Sequence, residues 1–212
     1  MGPSFPLPIP PTFTGGRWKR RSIVAAAALV WAPAVGFGIQ VLLRYSNTPS
    51  RLAAPPLDWP HDAGVRPEPG RATLLVFAHP QCPCSRATIG ELALIMAQLH
   101  EKPEAYVFFY SPRSEGNGWA RTGLWRDASA IRGVKPIEDL DGREALRFGA
   151  STSGQTLLYD GSGRLLFNGG ITAARGHAGA NDGSDAVVSL LEAGTALRHT
   201  MPVFGCSMIG TE

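Results

Sequence analysis

The chain has 212 residues, 44% hydrophobic and 17% charged, which suits one compact domain with appendages and excludes disorder throughout. Its 20 Lys and Arg against 17 Asp and Glu leave a net charge of +3 with no long basic stripe, so nucleic acid is not the expected partner. Three cysteines are too few to staple a small scaffold, and an odd number leaves at least one thiol over, so they read as chemical rather than architectural.

Residues 1–21 form a leader with Pro3, Pro6, Pro8, Pro10 and Pro11, closing on the basic run Arg17, Lys19, Arg20, Arg21. The uncharged stretch 22–43 follows, long enough to cross a bilayer as a helix, with Arg44 after it. The denser positive charge precedes it, which predicts a cytoplasmic N-terminus and a folded domain outside the cytoplasm. Ala32-Pro33-Ala34 offers the alternative of a cleaved signal peptide, and either reading exports the same domain. Residues 44–70 carry Pro49, Pro55, Pro56, Pro60, Pro67 and Pro69 and are expected as an extended tether to a domain over 71–195, with 196–212 as a C-terminal tail holding Cys206.

Within 71–195 the periodicity alternates. Residues 73–78 (TLLVFA) read as a buried strand, 85–100 as a helix, 105–110 (AYVFFY) as a second strand and 119–131 as a short helix. A third strand is expected at 134–137 and a helix at 141–148 before Gly149. Residues 156–159 and 164–167 flank Asp160-Gly161-Ser162-Gly163, a hairpin signal, and the last helix is expected at 184–191. Strands alternating with helices and ending in a hairpin make an α/β fold, a central mixed sheet flanked by helices.

The chemistry sits in HPQCPCSRATIGEL at 79–92, where Cys82 and Cys84 lie between the first strand and the first helix of the domain. A helix N-terminus presents unpaired N–H groups and partial positive charge, which favour a thiolate. Taken with TSGQTLLYD at 152–160, NGGITAARGH at 168–177 and PVFGC at 202–206, this run resembles the thioredoxin superfamily, and in particular membrane-tethered thioredoxin-like proteins of bacterial envelopes such as the RedB family.

The resemblance implies a thioredoxin-like fold, redox-active cysteines and thiol-disulfide exchange, but the motif departs from the usual pair separated by two residues: only Pro83 stands between Cys82 and Cys84. Cys82, nearer the strand end, is preferred as nucleophile; Cys84 and Cys206 are the candidate resolving thiols. The family's Ile-cisPro-Thr loop corresponds to Gly154-Gln155-Thr156, which makes Gln155 and Thr156 candidate substrate-binding residues through their backbone, with a trans peptide expected at Gln155. His79 could stabilise a thiolate or shuttle a proton, or merely fill the strand-to-helix turn. Arg175 and His177, in a glycine-rich loop before the last helix, could bring charge or a proton to the same site, or belong to a turn.

The expected function is an envelope thiol-disulfide oxidoreductase without a cofactor, acting on a protein or small-molecule disulfide or thiol, with a separate redox partner and a membrane. A copper(I) metallochaperone using Cys82, Cys84 and His79, with Cys206 as a further soft ligand, is the alternative from another class. A thiol peroxidase is the third; Ala78 and His79 stand where its motif would place threonine or serine.

Overall fold

The computed structural model describes residues 15–208 except 51, 53 and 117, with side chains from residue 20 onward. Most of the expected leader, 1–14, therefore lies outside the described residues, as does the end of the tail, 209–212.

The chain divides into two units, 1–44 and 45–212. The first is dominated by helix α1, Gly15–Asn47, which carries Pro33 inside it and continues past the expected end at 43. From Arg20 to Asn47 it is long and apolar enough to cross a membrane. Ile23, Leu29, Trp31 and Phe37 stand exposed along it.

The second unit is built on a five-stranded sheet. Strand β1, Thr73–Ala78, runs into helix α2, Pro83–Gln98, which returns the chain to β2, Glu104–Ser111. Helix α3, Gly123–Ala130, leads to β3, Val134–Leu140, and the short α4, Arg143–Arg147, leads to β4, Gln155–Tyr159. Strand β5, Leu165–Gly170, and helix α5, Asp182–Ala193, complete it. The sheet order is β3-β2-β1-β4-β5. β1, β2 and β3 are parallel, as crossover helices require, and β4 pairs antiparallel with both β1 and β5.

β1 is central and buried on both faces, which is why it reads as a continuous apolar run rather than an alternation. Leu74, Val76 and Ala78 join Ile89, Leu92, Ile95 and Met96 of α2 in one core layer, while Leu75 and Phe77 join Phe108, Phe148, Leu157 and Tyr159 in the other. Pro136 lies inside β3, which pairs only with β2; an edge strand tolerates the missing N–H. Asn181 caps α5 by accepting from the Ser184 N–H, so that helix starts two residues before the apolar periodicity does.

Two segments expected outside the domain are part of it. The proline-rich run is fastened to the sheet: Trp59 N donates to Gly163 O and Leu165 N to Leu57 O. Trp59 packs edge-on against Phe148 and Tyr159, both at 5.1 Å, and Tyr159 Oη donates to the Pro56 carbonyl at 2.9 Å. The tail likewise docks. Met201 N donates to Asn168 O, Gly170 N to Pro202 O and Met208 N to Ser151 O. Gly169 and Gly170 make this approach possible, since a Cβ on Gly169 would stand 2.7 Å from Met201 backbone and one on Gly170 2.8 Å from Pro202 O.

Candidate active site

Cys82 is the N-cap of α2 and Pro83 its first helical residue, a position where proline's missing N–H costs nothing and its fixed φ starts the helix. The single intervening proline thus sets the local geometry: Cys82 is extended, with φ −92° and ψ 128°, while Cys84 is already inside the first turn. Both are buried, at 5% and 6% exposure. Burial works against ionisation of Cys82, but hydrogen bonds from Ser153 and Cys206 and the backbone amides of Ser85 and Cys84 outweigh it and bring the thiol from 9.0 down to about 7.

Ser153, fully buried, is the residue that the sequence reading missed. Its hydroxyl lies 3.4 Å from Cys82 Sγ, and its Oγ accepts from Cys206 N at 3.3 Å while its own N–H donates to Cys206 O at 2.9 Å. One serine therefore steadies the nucleophile and fastens the tail. It is delivered by a tight loop: Gly154 adopts φ +89° and donates to Phe77 O at 2.7 Å, and a Cβ there would meet Thr88 Oγ1 at 2.9 Å. The signal in the sequence is the hydroxyl pair before a glycine in Thr152-Ser153-Gly154, next to Gln155, which takes the proline's place in the resemblance.

Cys206, on the exposed side of the tail, lies 3.3 Å from Cys82, sulfur to sulfur. Its main chain is held on both sides. Gly205 sits so close to Ser153 O that a Cβ would overlap it, and the Gly205 carbonyl accepts from Arg175 Nη1 and from Ser50 Oγ, the latter at 2.6 Å. Burial, the hydrogen bond with Cys82 and the charges of Cys82 and Cys84 push the Cys206 thiol up to about 11. Cys84 is also raised, by burial first and then by the charge and hydrogen bond of Cys82. The Arg175 charge and the Gly176 amide act in the opposite direction on Cys84.

Arg175 thus comes to the cysteines, its guanidinium also bonding Ser50 Oγ at 2.9 Å and covering the Tyr45 ring at 5.0 Å. His177 does not follow it inward. It is exposed, with Nδ1 2.8 Å from the Arg175 carbonyl. His79 flanks the motif rather than joining it: its ring lies between Tyr110 and Trp119, at 6.0 and 5.4 Å, and Nδ1 accepts from Gln81 N at 3.2 Å. Burial lowers its pKa, which favours a neutral ring.

Gln155 and Thr156 are fully buried, so neither side chain faces an incoming substrate. Gln155 instead bridges two segments, donating from Nε2 to Asn168 Oδ1 at 2.9 Å and accepting from Ser151 N at 3.3 Å. Thr156 Oγ1 donates to Gly154 O at 3.3 Å. No cis peptide occurs among the described residues.

The three sulfurs lie within 4.8 Å of one another, a set that could hold a soft metal ion. His79 is outside that set; Cys206 takes the place the sequence reading gave it.

A scan against protein-family models and a search of curated proteins match nothing. Among solved structures, the chain is similar to an uncharacterised conserved protein of Geobacillus kaustophilus, 14% identical with a TM-score of 0.56, over 78% of this chain and 93% of that one. A hypothetical protein of Sinorhizobium meliloti is 20% identical with a TM-score of 0.52, over 79% and 98%. The exposed lipoprotein thioredoxin Etrx1 of Streptococcus pneumoniae aligns at 15% identity and a TM-score of 0.43, over 58% and 85%. With its cysteine motif opening a helix directly after the central strand of a β3-β2-β1-β4-β5 mixed sheet, the chain has a thioredoxin-like fold.

Proposed function

We propose that the protein is a membrane-anchored thiol-disulfide oxidoreductase in which Cys82 is the nucleophile and Cys206 the resolving thiol. The observation that carries this is the 3.3 Å approach of the two sulfurs, with Cys82 brought to about 7 at a helix N-terminus. The Cys82 thiolate attacks one sulfur of a substrate disulfide, forms a mixed disulfide and expels the other sulfur as a thiolate. That step removes the Cys82 charge, one of the causes holding Cys206 protonated, so Cys206 ionises more readily when it is needed. Its thiolate then attacks Cys82 Sγ, closing a Cys82–Cys206 disulfide and releasing the second substrate thiolate. Two electrons have passed to the substrate, and a separate thiol partner restores the enzyme.

The cluster Arg17, Lys19, Arg20, Arg21 before the apolar part of α1, against Arg44 after it, favours retention of the N-terminus in the cytoplasm and the domain on the periplasmic side. An insulin-reduction assay on the full chain in detergent tests the reading. Cys82→Ser should abolish turnover, while Cys206→Ser should accumulate the mixed disulfide; unchanged reduction by Cys82→Ser defeats it. The second reading, copper(I) held by Cys82, Cys84 and Cys206, rests on the three-sulfur cluster. Stoichiometric copper(I) uptake by the reduced chain, lost when the cysteines are replaced, would favour it.

A further inference from the structure

Dithiol exchange needs two sulfurs, and this site has three. Cys84 is 6% exposed, takes no part in the reduction just described, and lies within 4.8 Å of both Cys82 and Cys206. Burial of a third thiol against a reacting pair has a chemical consequence, because any disulfide between two members of the cluster is within reach of the remaining one.

We infer that the oxidised protein moves its disulfide from Cys82–Cys206 to Cys84–Cys206, leaving Cys82 as a free thiolate that reshuffles substrate disulfides. The inference rests on the oxidoreductase reading and gives its oxidised form an activity of its own. The Cys84 thiolate attacks Cys206 Sγ, the Cys84–Cys206 bond forms, the Cys82–Cys206 bond breaks, and its electron pair leaves on Cys82. One thiolate is consumed and one released, so no oxidant or reductant is required.

Three observations support this direction. The Cys206 backbone is fastened through both its N–H and its carbonyl to Ser153, and Gly205 is gripped by Arg175 and Ser50, so the motion needed is rotation about the Cys206 Cα–Cβ bond rather than movement of the tail. Burial and the neighbouring Cys82 raise Cys84 in the reduced site, but in the Cys82–Cys206 disulfide the Cys82 charge is gone, and the Arg175 charge and the Gly176 amide remain to act toward ionised Cys84. Finally, exchange runs toward expulsion of the more acidic thiol, and Cys82, at the helix N-terminus beside Ser153, is the one of the three that is lowered. The glycine-rich loop after β5 thereby acquires a function: Arg175 and Gly176 attend Cys84, not the nucleophile.

In the rearranged state Cys82 has no intramolecular thiol left to resolve it. A mixed disulfide formed by Cys82 is therefore released by a second thiol of the substrate itself, which exchanges one substrate disulfide for another with no net electron transfer. The substrate class this fits is a protein with several cysteines and mispaired disulfides.

The test uses the full reduced chain in detergent, treated with one equivalent of diamide, alkylated with iodoacetamide at pH 7 and mapped by mass spectrometry. Cys82 and Cys84 share one tryptic peptide, and fragmentation before Pro83 separates them. The expected result is a Cys84–Cys206 cross-link as the major disulfide, with the label on Cys82. A major Cys82–Cys206 or Cys82–Cys84 cross-link overturns the inference while leaving the reductase reading to its own assay, the loss of insulin reduction in Cys82→Ser. Cys84→Ser, oxidised in the same way, should retain no thiol available for labelling and should lose the wild type's reactivation of scrambled ribonuclease; equal reactivation by the two also overturns it.

Discussion

A thiol only 5% exposed would ordinarily resist ionisation, and at Cys82 the resistance is overcome by particular donors rather than by the helix alone. Alkylation should follow the thiolate. The rate with iodoacetamide should rise about tenfold per pH unit below about 7 and level off above it, because the reactive form is the deprotonated one. Replacing Ser153 by Ala removes a donor to that thiolate and leaves Cys206 N without its acceptor. The inflection of the rate-pH curve for Ser153→Ala should move upward by about 1 unit, a shift typical of losing one such hydrogen bond. Cys82, Cys84 and Cys206 were legible as residue types because reactivity belongs to the thiol. Ser153 was not, since a serine acquires this role only when the loop before β4 folds against α2.

Elements were read from periodicity and came out close where burial is one-sided or continuous. β1, α2 and β2 are placed within a few residues by their apolar patterns. β5 runs three residues past the expected end at 167, because Asn168-Gly169-Gly170 carries no apolar signal. Those glycines are strand residues chosen by the tail lying across them, and the Asn168 amide group is occupied by Gln155. The α5 cap makes a local prediction: Asn181→Ala should destabilise the domain by about 1 kcal/mol in chemical denaturation, the usual cost of losing an N-cap. At the tail, Gly205→Ala forces a methyl group into the Ser153 carbonyl. Overpacking of this kind costs about 1–3 kcal/mol. Detachment of the tail is the cheapest relief, so Gly205→Ala should slow formation of any disulfide to Cys206 under diamide and, by removing the Cys206 donor, move the inflection of Cys82 alkylation upward.

At the scale of the molecule, the segment leaving α1 and the segment ending the chain converge on the cysteines. Ser50, three residues beyond Asn47, hydrogen-bonds Gly205, and its backbone pairs with Val203. Trp59 pins the same proline-rich run to the second core layer. Trp59→Ala should therefore lower stability by about 2 kcal/mol, below the range for a fully buried tryptophan because this one is half-buried. Thermal unfolding of the full chain in detergent measures it, and limited proteolysis should cut the variant earlier within 50–70. A tether that hung free would show neither effect.

The sequence by itself determined what depends on composition and on near neighbours: an apolar helix long enough to cross a membrane, alternating strands and helices, a hairpin at Asp160, and a cysteine at a helix start, where backbone N–H groups favour a thiolate. Only the tertiary structure decided which groups share the site. Cys206 stands 124 residues from Cys82 in the chain and 3.3 Å from it in space, brought there by backbone hydrogen bonds along β5 and the Ser153 loop that carry no hydrophobic pattern. The side chains of Gln155 and Thr156 are buried supports of the loop that turns Ser153 toward the sulfur, a placement that periodicity does not show. Periodicity records which face of an element is buried; it does not record which distant loop closes over that element's end.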